Sequence, residues 1–215
     1  MDLAELSDYV ITGNAPAAEE WTKNALSEGM AASVIVNEGH IPGMDVVGVK
    51  FKSAEYYMPE VLVSARAMKV SMALVKPLLS EQEGGFTGRV VIGTVKGDLH
   101  DIGKNLVGMM LEGAGFAVTD LGTDVEPEEF VRAVEESQAQ LLCLSALLTT
   151  TMPLMKSTIT LLEESEVRQQ VKILVGGAPV TDEYAASIGA DGYAAEAATA
   201  VEQAKALIGV GSAAG

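Results

Sequence analysis

Residues 89 to 107 read RVVIGTVKGDLHDIGKNLV. After Arg89 the next six are mostly apolar or β-branched over one strand length, and from Ile102 onward the apolar residues recur at helical spacing. Between them a polar loop places His100 between Asp98 and Asp101. Strand, short loop and helix in succession begin a βα unit, and the same grammar repeats downstream. Strand candidates FAVTDLG, AQLLCLSAL, VKILVGG and a short DGYAA follow. They alternate with the helical stretches DIGKNLVGMMLEGAG, EPEEFVRAVEESQ, TMPLMKSTITLLEES and VTDEYAASIG, and with a last helix to about residue 208. Such alternation predicts a parallel sheet covered on both faces, and five strands of this length suggest the flavodoxin-like order 2-1-3-4-5.

Upstream the grammar is helical throughout. LAELSDYVITGN and APAAEEWTKNALSEG carry apolar residues at helical spacing and close on Asn or Gly. MAASVIVNEG and GMDVVGVKF continue the pattern across HIPG, read as a turn with His40 solvated. A longer helix begins near Pro59 and runs through EVLVSARAMKVSMALVKPLL, so a small bundle is expected. Trp21, Tyr56 and Tyr57 read as packing. The glycine-rich SEQEGGFTG is the expected junction, dividing the chain into a helical domain, 1–85, and an α/β domain, 86–215; the terminal GVGSAAG reads as a frayed tail.

A net charge of −16 over 215 residues argues against a phosphate-backbone ligand, so no nucleic-acid partner is expected. It suits solubility, or docking onto basic protein surfaces. One cysteine, Cys143 in the apolar LLCLSALL, can form no internal disulfide and reads as core strand in a reducing compartment. With no signal peptide and no 18-residue apolar run, a cytoplasmic protein with no membrane partner is expected.

In an open parallel sheet, ligands bind beyond the carboxyl ends of the strands near the switch point. The unusual residues collect there: Asp98, His100 and Gly103 after the first strand, Ser145 to Thr151 (SALLTTT) after the third, Gly176 and Gly177 after the fourth. Neither G-x-G-x-x-G nor G-x-x-x-x-G-K-[ST] is present, which demotes dinucleotide and phosphate-loop functions. A phosphorylated receiver would want an aspartate where Ser145 stands. One histidine with two nearby acids and no cysteine is a poor zinc set. A single histidine can still ligate a metal whose other positions a macrocycle fills. Asp98, two residues away, is placed to take the proton of the second ring nitrogen. It is placed equally well as an N-cap over LHDIGKN.

The pattern Asp98-x-His100-x-x-Gly103, Ser145-x-Leu147 and Gly176-Gly177 resembles the cobalamin-binding domains of the methionine synthase type. GMDVVGVKFKSAEYYMPEVLVSARAMK resembles that family's helical cap. The resemblance covers about residues 3 to 208. It implies a corrin held between the two domains, with His100 the axial ligand of cobalt in place of the cofactor's own base. Asp98 would hydrogen-bond His100, and Thr151, standing where methionine synthases carry serine, would complete the relay. Gly97, Leu99, Ile102 and Gly103 would lie against the corrin. Asp101 belongs to the same segment, its charge read as that of a first helical turn. Ser145, Leu147 and Thr149 would meet the displaced nucleotide tail. Gly176 and Gly177 would admit it through close backbone approach, or simply form a tight turn; Ala195 and Glu196 complete that edge. In the cap, Phe51 and Met58 would shield the upper corrin face, with helix core the alternative for Met58.

The family's chemistry is methyl transfer through cobalt, passing through a methylcobalamin state. A chain of cap and cofactor domain resembles a free-standing corrinoid shuttle of an anaerobic one-carbon system. The implied partners are a substrate-specific methyltransferase, a second methyltransferase acting on tetrahydrofolate or coenzyme M, and a reductive activase. Methanol, methylamines or methoxylated aromatics are the implied donors. The cobalamin domain of a mutase, or of a cobalamin-dependent sensor, is the alternative.

Overall fold

The computed structural model describes residues 1–79 and 86–210. Most of the expected junction, 80–85, and the last five residues of the tail lie outside the described residues. The chain divides into two compact units, Met1–Thr87 with Glu112–Gly115, and Gly88–Leu111 with Phe116 onward.

The first unit is helical: α1 (Leu3–Ile11), α2 (Ala15–Ser27), α3 (Ala32–Val34), α4 (Ile41–Lys52) and α5 (Met58–Val75). Asp2 and Asn14 cap α1 and α2 through side-chain oxygens that accept Ala4 and Ala17 amides. α2 packs on α5 and α1 on α4, around a core holding Leu6, Trp21, Ile35 and Val75. The turn expected at HIPG is absent. A π-helical segment, Ile35–His40, joins α3 to α4 without a break. Pro42 carries no amide hydrogen, so one rung of the backbone ladder is missing where the π-helical turns meet α4. A Cβ on Gly39 would lie 2.7 Å from Leu6 Cδ2 on α1, and one on Gly43 would lie 3.0 Å from the Ser7 carbonyl oxygen.

His40 is accordingly not solvated. It is fully buried, its Nε2 2.5 Å from Ser71 Oγ, which lies 2.5 Å from Thr22 Oγ1. Burial pushes its pKa down to about 4, so the imidazole is neutral near pH 7. Its Nδ1 has no partner among the described residues. Trp21 packs as expected, Tyr56 is half-buried with its hydroxyl donating to the Ile11 carbonyl, and Tyr57 instead is 63% exposed.

The second unit is a five-stranded, all-parallel sheet in the order β2-β1-β3-β4-β5, the order expected. Its strands are β1 (Arg89–Thr94), β2 (Ala117–Asp120), β3 (Leu141–Ser145), β4 (Lys172–Gly176) and β5 (Gly192–Ala194). The connecting helices are α6 (Ile102–Gly113), α7 (Pro127–Ser137), α8 (Pro153–Glu163) and α9 (Asp182–Ser187), with α10 (Ala197–Leu207) last. β1 and β3 are continuous apolar runs because both their faces are covered. Phe130 of α7 anchors one layer, its ring so close to β1 that a Cβ on Gly93 would meet it at 2.6 Å. Cys143 is buried in β3, and burial raises its thiol to about 12, so it is no nucleophile. No helix among the described residues is long and apolar enough to cross a membrane.

Candidate functional site

The site grows from the carboxyl ends of β1 and β3, neighbours at the switch point of the sheet. After Thr94 the chain leaves the sheet, and the Thr94 hydroxyl donates to the His100 carbonyl at 2.9 Å, closing the loop over the strand end. Asp98 lies at its centre with no exposed surface. It does not cap α6, which begins at Ile102. Its Oδ1 accepts the His100 amide at 3.1 Å and faces His100 Nδ1 at 2.7 Å. Its Oδ2 accepts the amides of Leu147 at 2.7 Å and Leu148 at 3.2 Å, and the Thr151 hydroxyl at 2.8 Å.

A buried carboxylate holding this many donors stays ionised. Burial alone would raise its pKa. The Leu147 amide, the His100 ring and amide, and the Thr151 hydroxyl outweigh that and hold it well below the usual carboxylate range. An acceptor-only partner requires Nδ1 of His100 to carry a proton, so in the neutral imidazole the lone pair lies on Nε2. The His100 side chain is 52% exposed, so that lone pair is available to a ligand outside the fold.

The surroundings suit a flat, largely apolar group. Leu99 and Ile102 flank His100 in the chain and are 73% and 69% exposed; Leu147 and Leu148, whose amides hold Asp98, are each 41% exposed. Such residues at one loop cluster mark a binding face rather than a packed core. Among the described residues a Cβ on Gly103 would meet nothing within 4 Å, so none of them calls for glycine there. No group of three or more His, Cys, Asp or Glu among the described residues could hold a bare metal ion. One imidazole ligand facing an apolar surface fits a metal already held by a macrocycle.

Residues 88–204 match the family model described as the B12 binding domain, and residues 3–76 match a second model of the same description. The chain belongs to the B12-binding family. Its cofactor is cobalamin or a related corrinoid, with its cobalt. A corrinoid protein of Desulfitobacterium hafniense is 42% identical over 210 residues, 96% of this chain and 97% of that one. The dimethylamine corrinoid protein of Methanosarcina barkeri is 42% identical over 207 residues, with the same coverage. Among solved structures, the methanol:cobalamin methyltransferase complex of Methanosarcina barkeri aligns with a TM-score of 0.83 at 30% identity, covering 95% of this chain and 78% of that one.

Within this B12-binding fold the structure brings Asp98, His100, Leu147 and Thr151 into direct contact. The other residues expected at the site are placed as follows. Gly97, at φ +81°, enters the loop, and Asp101 precedes α6, its carboxylate accepting Asn105 Nδ2 at 2.9 Å. Ser145 ends β3 half-buried, and Thr149 is exposed in the following turn. Gly176 and Gly177 have a cause inside the fold. A Cβ on Gly177, at φ +129°, would sit 1.9 Å from the Ala146 carbonyl oxygen, and one on Gly176 would sit 2.9 Å from that of Ala194. Ala195 and Glu196 are exposed between β5 and α10. In the helical unit, Phe51 is half-buried near the end of α4 and Met58 opens α5 at 40% exposure.

Several supporting residues were not foreseen from sequence. They are Thr94, Leu148, and Tyr184, whose hydroxyl donates to the Met152 carbonyl at 2.7 Å beside Thr151. Their partners are distant in the chain, and no local motif announces them.

Proposed function

We propose that this corrinoid protein carries a methyl group on cobalt from a substrate-specific methyltransferase to a second methyltransferase. The observation that carries the reading is the His100 imidazole, its Nδ1 proton held by Asp98 and its Nε2 free among exposed apolar side chains. The bound cobalt would supply the chemistry of accepting and releasing the methyl group. His100 Nε2 would be the axial ligand. Asp98 fixes the tautomer that makes Nε2 a donor, and the Thr151 hydroxyl holds the second carboxylate oxygen. Leu99, Ile102, Leu147 and Leu148 would exclude water beneath the ring.

In this reading residues 1–85 act as the cap and 86–215 as the cofactor domain, with Phe51 and Met58 shielding the reactive face. Ser145, Thr149, Gly176, Gly177, Ala195 and Glu196 would line the path of the nucleotide tail. The named substrates of the relatives, dimethylamine and methanol, make small methylated amines and alcohols the first donors to test. Tetrahydrofolate or coenzyme M would be the acceptor, a reductive activase would restore the reduced cofactor, and the setting would be the cytoplasm of an anaerobe.

Two measurements test the proposal. After reconstitution with hydroxocobalamin, the visible spectrum of wild-type protein should differ from that of His100→Ala; identical spectra would remove His100 as the ligand. The reduced, loaded protein should then take up label from a carbon-13 methyl donor in the presence of the cognate methyltransferase. Failure with every donor class would leave a corrinoid-binding protein and remove the carrier role.

A further inference from the structure

Asp124 has a positive φ, +59°, although it is not glycine. Such a backbone costs on the order of 1 kcal/mol and persists where the surroundings demand it. The demand is visible. Asp124 Oδ1 accepts the Gly97 amide at 2.8 Å, and its own amide donates to the Asp98 carbonyl at 3.0 Å. It therefore grips two consecutive residues of the loop, one through its side chain and one through its backbone. Gly97, at φ +81°, is the freest swivel in that loop and directly precedes Asp98. Lys96 lies 3.3 Å from Asp124 Oδ2 and 3.0 Å from Glu126 Oε1, which keeps the carboxylate in place from the solvent side.

We propose that Asp124 is a positioning residue for His100, locking the Gly97 swivel so that Asp98 presents the imidazole at one height and tilt. The inference rests on His100 being the axial ligand. A glycine at 124 would relieve the backbone while removing the acceptor. An asparagine would tolerate the same φ and keep an oxygen for the Gly97 amide. This pair separates positioning from folding, because neither substitution opposes the local backbone.

The test uses full-length protein, uniformly labelled with nitrogen-15, loaded with cobalamin and reduced to the cobalt(II) state. Electron paramagnetic resonance then reads a protein nitrogen on cobalt as a doublet, and the cofactor's own base as a triplet. Wild type and Asp124→Asn should show the doublet. In Asp124→Gly the ratio of ligated to unligated cobalt should fall about fivefold, the size expected for loss of one solvent-exposed hydrogen bond. Hydrogen exchange at the Gly97 amide should quicken in the same variant without cofactor. An unchanged doublet in Asp124→Gly would overturn the inference, as would equal loss in both variants, since the ion pair with Lys96 would then be the effective contact. A doublet that survives in His100→Ala would instead remove the ligand assignment beneath it.

Discussion

Acid should loosen the helical unit through His40. The imidazole is fully buried, and its pKa falls from 6.5 to about 4 on folding. The folded state refuses a proton that the unfolded chain accepts. This contribution to stability is therefore full above pH 6.5 and is lost as the pH falls towards 4. At pH 5 the unfolded chain gains roughly 2 kcal/mol over the folded one from this group, and about 3 kcal/mol once the pH is well below 4. Other groups titrate over the same range, so the comparison is with His40→Gln, which keeps a donor for Ser71 and cannot ionise. Trp21, the single tryptophan, is buried in the same core and reports this unit by fluorescence. Between pH 7 and pH 5 the urea midpoint of wild type should fall by about 1–2 M more than that of the variant, given slopes near 1–2 kcal/mol/M. Parallel pH profiles for the two proteins would refute the buried, neutral imidazole.

Two glycines should respond in opposite ways. Gly177→Ala should destabilise the sheet unit by about 3 kcal/mol or more in thermal melts, because its Cβ collides with a backbone oxygen at a positive φ. Gly103→Ala has open space and a helical position, so the cofactor-free protein should gain about 0.5–1 kcal/mol while its affinity for hydroxocobalamin drops. Thr151→Val should cost about 1 kcal/mol in urea unfolding, since Asp98 keeps its donors from His100, Leu147 and Leu148; Thr151→Ser should restore wild-type stability.

The sheet was legible because strands covered on both faces must be continuous apolar runs, as VVI and LLCL are. Their order followed from the alternation with helices. The helical unit was legible in its elements but not at His40 to Gly43, where His, Pro and Gly signal a turn. There tertiary packing overrides local propensity: α1 lies so close that small residues are required in the helix it packs against, and the histidine beside them is carried into the core.

At the site, the sequence motif identifies the imidazole and its carboxylate but not what makes them rigid. Read locally, Asp98 looks like a helix cap, because an acid before a helical run usually is one. Its real partners arrive from the loop after β3, about fifty residues on, and from Asp124 after β2. This long-range origin has a chemical consequence. One carboxylate fixes the ring tautomer and also satisfies the backbone donors that join the β1 and β3 loops. The group that sets the tautomer of the imidazole is thus the group that holds the loops together. A substitution at Asp98 cannot alter the first without disturbing the second, whereas Thr151, whose hydroxyl meets one carboxylate oxygen, and Asp124, whose side chain holds the Gly97 amide, can each be changed with the carboxylate left in place. The proton at Nδ1 and the posture of the loop are accordingly approached separately from those two outer positions.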